Sequence, residues 1–135
     1  MKSSRSLTIM AAVTLLTLSC WLVLHAQPDA PKRNILTKQD LSGFPGHEGV
    51  VALVEFVPGA REPKHTHPGD VFAYVQDGTV TLYVDGQPTT TVKQGEVFFV
   101  PAGKVHWAVN DGKTNAKLVA TFAVEKGKPL ASTVP

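Results

Sequence analysis

The chain has 135 residues, a single cysteine, and 13 Lys and Arg against 11 Asp and Glu, for a formal net charge of +2. That length supports one small domain with a single core, and a lone cysteine excludes a disulfide framework. The small charge excess gives no electrostatic case for nucleic acid or a membrane surface.

The chain opens with Met-Lys-Ser-Ser-Arg-Ser, continues through the apolar run Leu7 to Leu24, and breaks at His25-Ala26-Gln27-Pro28. A basic start, a hydrophobic stretch and a small residue before the break describe a secretory signal peptide, with cleavage after Ala26 preferred. The alternative is retention as a membrane anchor, because the run is just long enough to span. A lipoprotein signal at Cys20 fits poorly, since the apolar run continues past it. Cleavage and anchoring both put the remaining chain outside the cytoplasm, periplasmic or secreted. Lys2, Arg5 and Cys20 leave with a cleaved leader, so 11 basic residues then face 11 acidic ones and the net charge falls to about zero.

Residues 27–49 are rich in Pro, Gly and charge and read as an N-terminal arm lying on the domain, with Ile35-Leu36 as a short pairing strand. His47, between Gly46 and Glu48, reads as a solvated loop histidine and is left out of the site. Val50 to Val57 is a strand of β-branched residues stopped by Pro58-Gly59.

Next comes Gly59-Ala-Arg-Glu-Pro-Lys-His65-Thr-His67-Pro-Gly-Asp-Val71, leading into a strand from Phe72 to Gln76 and a turn at Asp77-Gly78. His65 and His67 lie two apart, so on a strand they share a face about 7 Å apart. From there two imidazoles can converge on a metal at about 2.0–2.1 Å. Taken alone, such a pair is more often two surface histidines. Glu62 and Glu96 sit near turns and read as solvated.

Strands then follow at Thr79–Val84, Thr89–Val92, Val97–Val100, Val105–Val109 and Lys117–Val124, separated by Asp85-Gly86, Gln94-Gly95, Pro101-Ala-Gly103 and Asn110-Asp-Gly112. Short strands with turn chemistry every 8 to 12 residues or so call for an all-β sandwich or barrel. Trp107 points away from the face that carries His106, toward sheet packing or a dimer contact, and Tyr74 and Tyr83 read as packing residues. Residues 125–135 form a polar, loose tail.

Two stretches resemble the paired motifs of the cupin superfamily. Gly59, His65, His67 and Gly78 fall on the first motif, but Val71 stands where that pattern has a glutamate. Gly95, Pro101, Gly103, His106 and Asn110 complete the second. The resemblance spans Gly59 to Asn110 and implies a double-stranded β-helix, a jelly roll, over residues 50–124.

It also implies that His65, His67 and His106 meet in the barrel mouth as ligands of one divalent transition metal: Fe, Zn, Cu, Ni or Mn. Without the glutamate, three neutral imidazoles leave the ion's full +2 charge, which favours an anionic or strongly donating ligand. A bulge at Pro68-Gly69 that turns Asp70 inward would replace the carboxylate. The functional expectation is an exported metal-dependent cupin, dioxygenase- or isomerase-like, that acts on or binds a small oxygenated or anionic molecule. Against catalysis, no acid or base is visibly placed beside the metal. The alternatives are a non-catalytic small-ligand binder and a structural barrel. A homodimer is the family default, and metal affinity is expected to fall as pH drops toward about 6.

Overall fold

The computed structural model describes residues 29–135, so the expected leader or anchor lies outside the described residues. The described residues are all-β, with no helix. Ten strands occur in chain order: β1 (Lys32–Asp40), β2 (His47–Phe56), β3 (His65–Thr66), β4 (Gly69–Asp77), β5 (Thr79–Val84), β6 (Thr90–Lys93), β7 (Val97–Val100), β8 (His106–Val109), β9 (Ala116–Glu125) and β10 (Ser132–Thr133). They build two five-stranded sheets, ordered β1-β2-β9-β4-β7 and β10-β3-β8-β5-β6.

Side-chain alternation explains why these segments pair as they do. Every second residue of β2, β4, β5 and β9 is buried. Val50, Ala52, Val54 and Phe56 of β2 thus share a core with Val71, Ala73 and Val75 of β4 and with Leu118, Ala120, Phe122 and Val124 of β9. Val80, Leu82 and Val84 close it from the second sheet. A slip of one residue in any of these strands would turn its apolar set to water, so the register is strongly specified.

Glycine is required where chain segments crowd. A Cβ on Gly69 would lie 1.9 Å from the carbonyl oxygen of Ala123, so no other residue lets β4 start so close to β9. Gly78 has φ +72° and a Cβ there would meet Asn115 O at 2.5 Å; the β4–β5 turn needs glycine for both conformation and space.

The chain ends differ from the sequence expectation. The arm's pairing strand is longer than Ile35-Leu36: β1 runs for nine residues and pairs with β2 from Lys32↔Glu55 to Asp40↔Glu48. β2 starts at His47 rather than Val50, which places His47 on a strand instead of in a loop. The tail is tied down as well. β10 pairs with β3, and Val134 N donates to Lys64 O at 2.9 Å.

Candidate metal centre

β3 and β8 pair at a single register point, His65↔His106, so these two imidazoles start opposite each other on one face. His67 follows β3 by one residue and returns to that same face. All three side chains are buried. Their ring centroids lie 4.3 to 5.0 Å apart, and one nitrogen from each lies within 4.8 Å of the others.

The other ring nitrogens decide the tautomers. Nδ1 of His65 donates to Pro63 O at 2.8 Å, Nδ1 of His106 to Lys104 O at 3.0 Å, and Nδ1 of His67 to Leu130 O. A carbonyl only accepts, so each Nδ1 carries the proton and each neutral Nε2 presents a lone pair. Nε2 of His65 and Nε2 of His67 stand 3.1 Å apart. Neither has a proton to share, so the contact sets lone pair against lone pair unless a cation lies between them. Two nitrogens each about 2.1 Å from one ion fit that separation. The donor set therefore suits a divalent transition ion.

Burial favours the neutral rings. Loss of solvent lowers both His67 and His106 from the usual 6.5 to about 4, although the hydrogen bonds to Leu130 and Lys104 oppose the shift. At His67 and His106, burial therefore keeps the imidazoles neutral and able to bind an ion to lower pH than free histidine would allow.

Around the imidazoles lies a cavity of about 30 Å³ with mostly apolar walls, among them Val71, Phe98, Leu118 and Phe122. Val71 is 3% exposed and faces this interior, so the position of the missing carboxylate holds a hydrocarbon. Asp70 does not replace it. The strand's alternation turns Asp70 outward, where its Oδ1 accepts from Ala102 N at 3.0 Å. The irregularity in β4 falls between Val75 and Asp77, not at Pro68-Gly69.

Glu62 corrects a second expectation. It is not solvated: its side chain is 11% exposed, pairs with Arg33 at 3.2 Å and accepts from Ala108 N at 3.1 Å. Burial raises its carboxyl above the ordinary range, against the pull of His65 and Arg33. Both residues line the cavity. Sequence reasoning missed Arg33 because β1 has no buried side and so no periodicity to mark it. It missed the Leu130 carbonyl because backbone groups leave no sequence signal. Glu96 is exposed and accepts from Lys93 N. Trp107, on the outer face, stacks on Tyr83 with centroids 4.8 Å apart. His47 lies away from the three rings, its Nδ1 3.4 Å from Pro45 O.

The family model described as "Cupin domain" matches residues 52–122. The chain belongs to the cupin family. Relatives of this cupin include germin-like protein 3-3 of Oryza sativa, 32% identical over 68% of this chain and 45% of the relative. Oxalate oxidase 2 of Hordeum vulgare is 31% identical over 68% of this chain and 46% of its own length. The cupin thus spans about half the length of these relatives. A double-stranded β-helix protein from Klebsiella pneumoniae superposes with TM-score 0.66 at 20% identity, over 82% of this chain and 89% of the other. An oxalate oxidase bound to the substrate analogue glycolate superposes with TM-score 0.63 at 27% identity, over 82% of this chain and 58% of that one.

Proposed function

We propose that His65, His67 and His106 hold one divalent transition ion and that the cavity beside it receives a small anionic, oxygen-bearing molecule. The observation that carries this reading is the tautomer lock: three backbone carbonyls fix three Nδ1 protons and leave three lone pairs converging on one point. Ligating histidines are oriented in this way by partners on their second nitrogen. A bound ion would supply Lewis-acid polarisation of an oxygen atom brought to it.

The protein's own contribution is selection. Three neutral rings and Val71 leave the ion's charge unopposed, so an anion is favoured in the open positions. The apolar walls limit water and strengthen that attraction. Small acids are the compounds to test first, since an oxalate oxidase holding glycolate is among the similar structures. Whether the bound acid is turned over depends on a proton carrier, and here a second reading has support. Asp70 points outward and both carboxylate oxygens of Glu62 are committed, which favours a binder over a dioxygenase- or isomerase-like enzyme.

Elemental analysis of the purified protein tests the metal: one equivalent of a transition ion is expected, lost in His65→Ala or His106→Ala. Oxygen uptake with oxalate and glycolate then separates enzyme from binder. We further propose that the chain works outside the cytoplasm, on the strength of its leader-like start. The exposed Phe72, Tyr74, Val97 and Phe99 of β4 and β7 are the surface through which two copies would pair, by burying an apolar patch beside an edge strand. Sedimentation of the wild type and of Phe99→Lys tests that dimer.

A further inference from the structure

The ion pair beside the histidines occupies a special position. Arg33, Glu62 and His65 line the inner cavity and also line a second, outer hollow of about 200 Å³, whose far side includes Ala131 and Thr133. These three side chains are therefore the wall shared by vestibule and inner cavity. The inner cavity, about 30 Å³, has room for no more than a few water-sized groups, the ion among them. A ligand of several atoms must keep most of its length in the vestibule.

We infer that Arg33 is the specificity-determining residue of this site: its guanidinium receives the outer carboxylate of a short dianion whose inner oxygens face the three histidines. The inference rests on the metal reading proposed above.

Three observations carry it. First, Arg33 comes from β1, outside the histidine strands, and its side chain is 31% exposed, so it meets solvent and cavity at once. Second, Nη2 donates to Glu62 Oε1 at 3.2 Å, which anchors the planar group while leaving further N–H donors for a ligand. Glu62 is itself fixed through Ala108 N, so the anchor is rigid. Third, charges decide the ligand class. An ion of charge +2, three neutral rings and a balanced Arg33–Glu62 pair leave +2 in the site, which one dicarboxylate neutralises. A guanidinium fork matches a carboxylate in two parallel hydrogen bonds, a geometry that an ammonium cannot offer. A hydroxy-monocarboxylate such as glycolate can reach both the ion and the fork, but it brings one negative charge and so leaves one of the two facing a neutral hydroxyl.

Calorimetric titration of the metal-loaded protein with oxalate, malonate and glycolate tests this, with metal content measured before and after each titration. Wild-type protein should bind the better dicarboxylate at least tenfold more tightly than glycolate. Arg33→Gln should reduce that ratio below threefold with metal content unchanged, and Arg33→Lys should fall between. If Arg33→Gln is poorly folded because Glu62 loses its partner, the double variant Arg33→Gln/Glu62→Gln removes both charges and should show the same collapse. An unchanged ratio in Arg33→Gln or in the double variant overturns the role of Arg33 alone. Loss of metal in both also overturns it, because Arg33 would then be structural. Wild-type protein that holds metal but binds none of the three acids defeats the anion reading itself, and this inference with it.

Discussion

Two buried polar clusters stand within a few residues of each other, and they use their hydrogen-bonding capacity in opposite ways. Asn110, 0% exposed, spends all of it inside the chain. Its Nδ2 donates to Phe56 O at 3.1 Å and Thr114 O at 2.8 Å, and its Oδ1 accepts from Gly112 N at 2.9 Å. Its main chain adds bonds to Gly59 and Ala60, so the start of the first motif is knotted to the end of the second. The three histidines spend one nitrogen each and hold the other in reserve. A buried polar group with no capacity left is a fastener; one with a converging lone pair to spare is a site. Both kinds belong to the same pair of motifs, so motif membership does not by itself distinguish them.

Substitution on the two sides should break this contrast cleanly. His65→Ala or His106→Ala removes one of three metal contacts. If each ligand carries roughly a third of the ~10–16 kcal/mol typical of a bound zinc, affinity falls about 1,000-fold, measured by competition with a chelator, while the far-ultraviolet spectrum keeps its β signature. Asn110→Ala should do the reverse. It strands the buried carbonyl of Phe56 and removes the anchors of Thr114 O and Gly112 N in the exposed turn, at a cost of about 2 kcal/mol, visible as a lower urea midpoint with metal stoichiometry retained. A metal-deficient but folded Asn110→Ala protein would erase the distinction.

The C-terminal segment sharpens the same comparison at lower amplitude. Leu130 O holds the Nδ1 proton of His67, and β10 lies against β3. Removal of residues 129–135 leaves all three ligands in the chain but frees one ring to rotate. Loss of such an orienting partner weakens metal binding about 10- to 100-fold, so this truncation should sit between wild type and His65→Ala in the chelator assay. Equal affinity with and without the segment would reduce the tail to a cover.

These assignments show where sequence was informative. Alternation is visible in the residues of β5, where Thr79 and Thr81 alternate with Val80, Leu82 and Val84; β2 and β4 are apolar on both faces, so their existence was legible while the facing of Asp70 stayed open until the strand was placed. The spacing of His65, His67 and His106 was legible through the two motifs. Illegible parts share a physical cause. β1 is exposed at every position and β10 is two residues long, so neither carries a hydrophobic period; pairing with β2 and β3 makes them strands. Glu62 looked solvated because its burial comes from Arg33, 29 residues away, and from the backbone of β8. Tertiary partners of this sort have no local signature.

The smallest expected effect is on pH dependence, and it separates the fold from its site within one experiment. An unfolded chain protonates its imidazoles near 6.5, whereas His67 and His106 in the fold stay neutral to about 4 because burial disfavours the charged ring. Between those values the unfolded state binds more protons, so stability rises with pH and is lost as pH falls. Metal-free protein should therefore show a melting temperature that is level above about pH 7 and declines from about 6.5 toward 4. His67→Gln/His106→Gln should flatten this slope, since Gln has no proton to gain, and the difference between the two proteins isolates the pair from every other titrating group. Proton competition for metal at His67 and His106 should follow the folded-state values instead, setting in at these two rings only as pH nears 4. A melting curve with equal slope in wild type and double variant would mean that these rings are solvated in the metal-free fold, and the contrast with Asn110 would then rest on coordination alone.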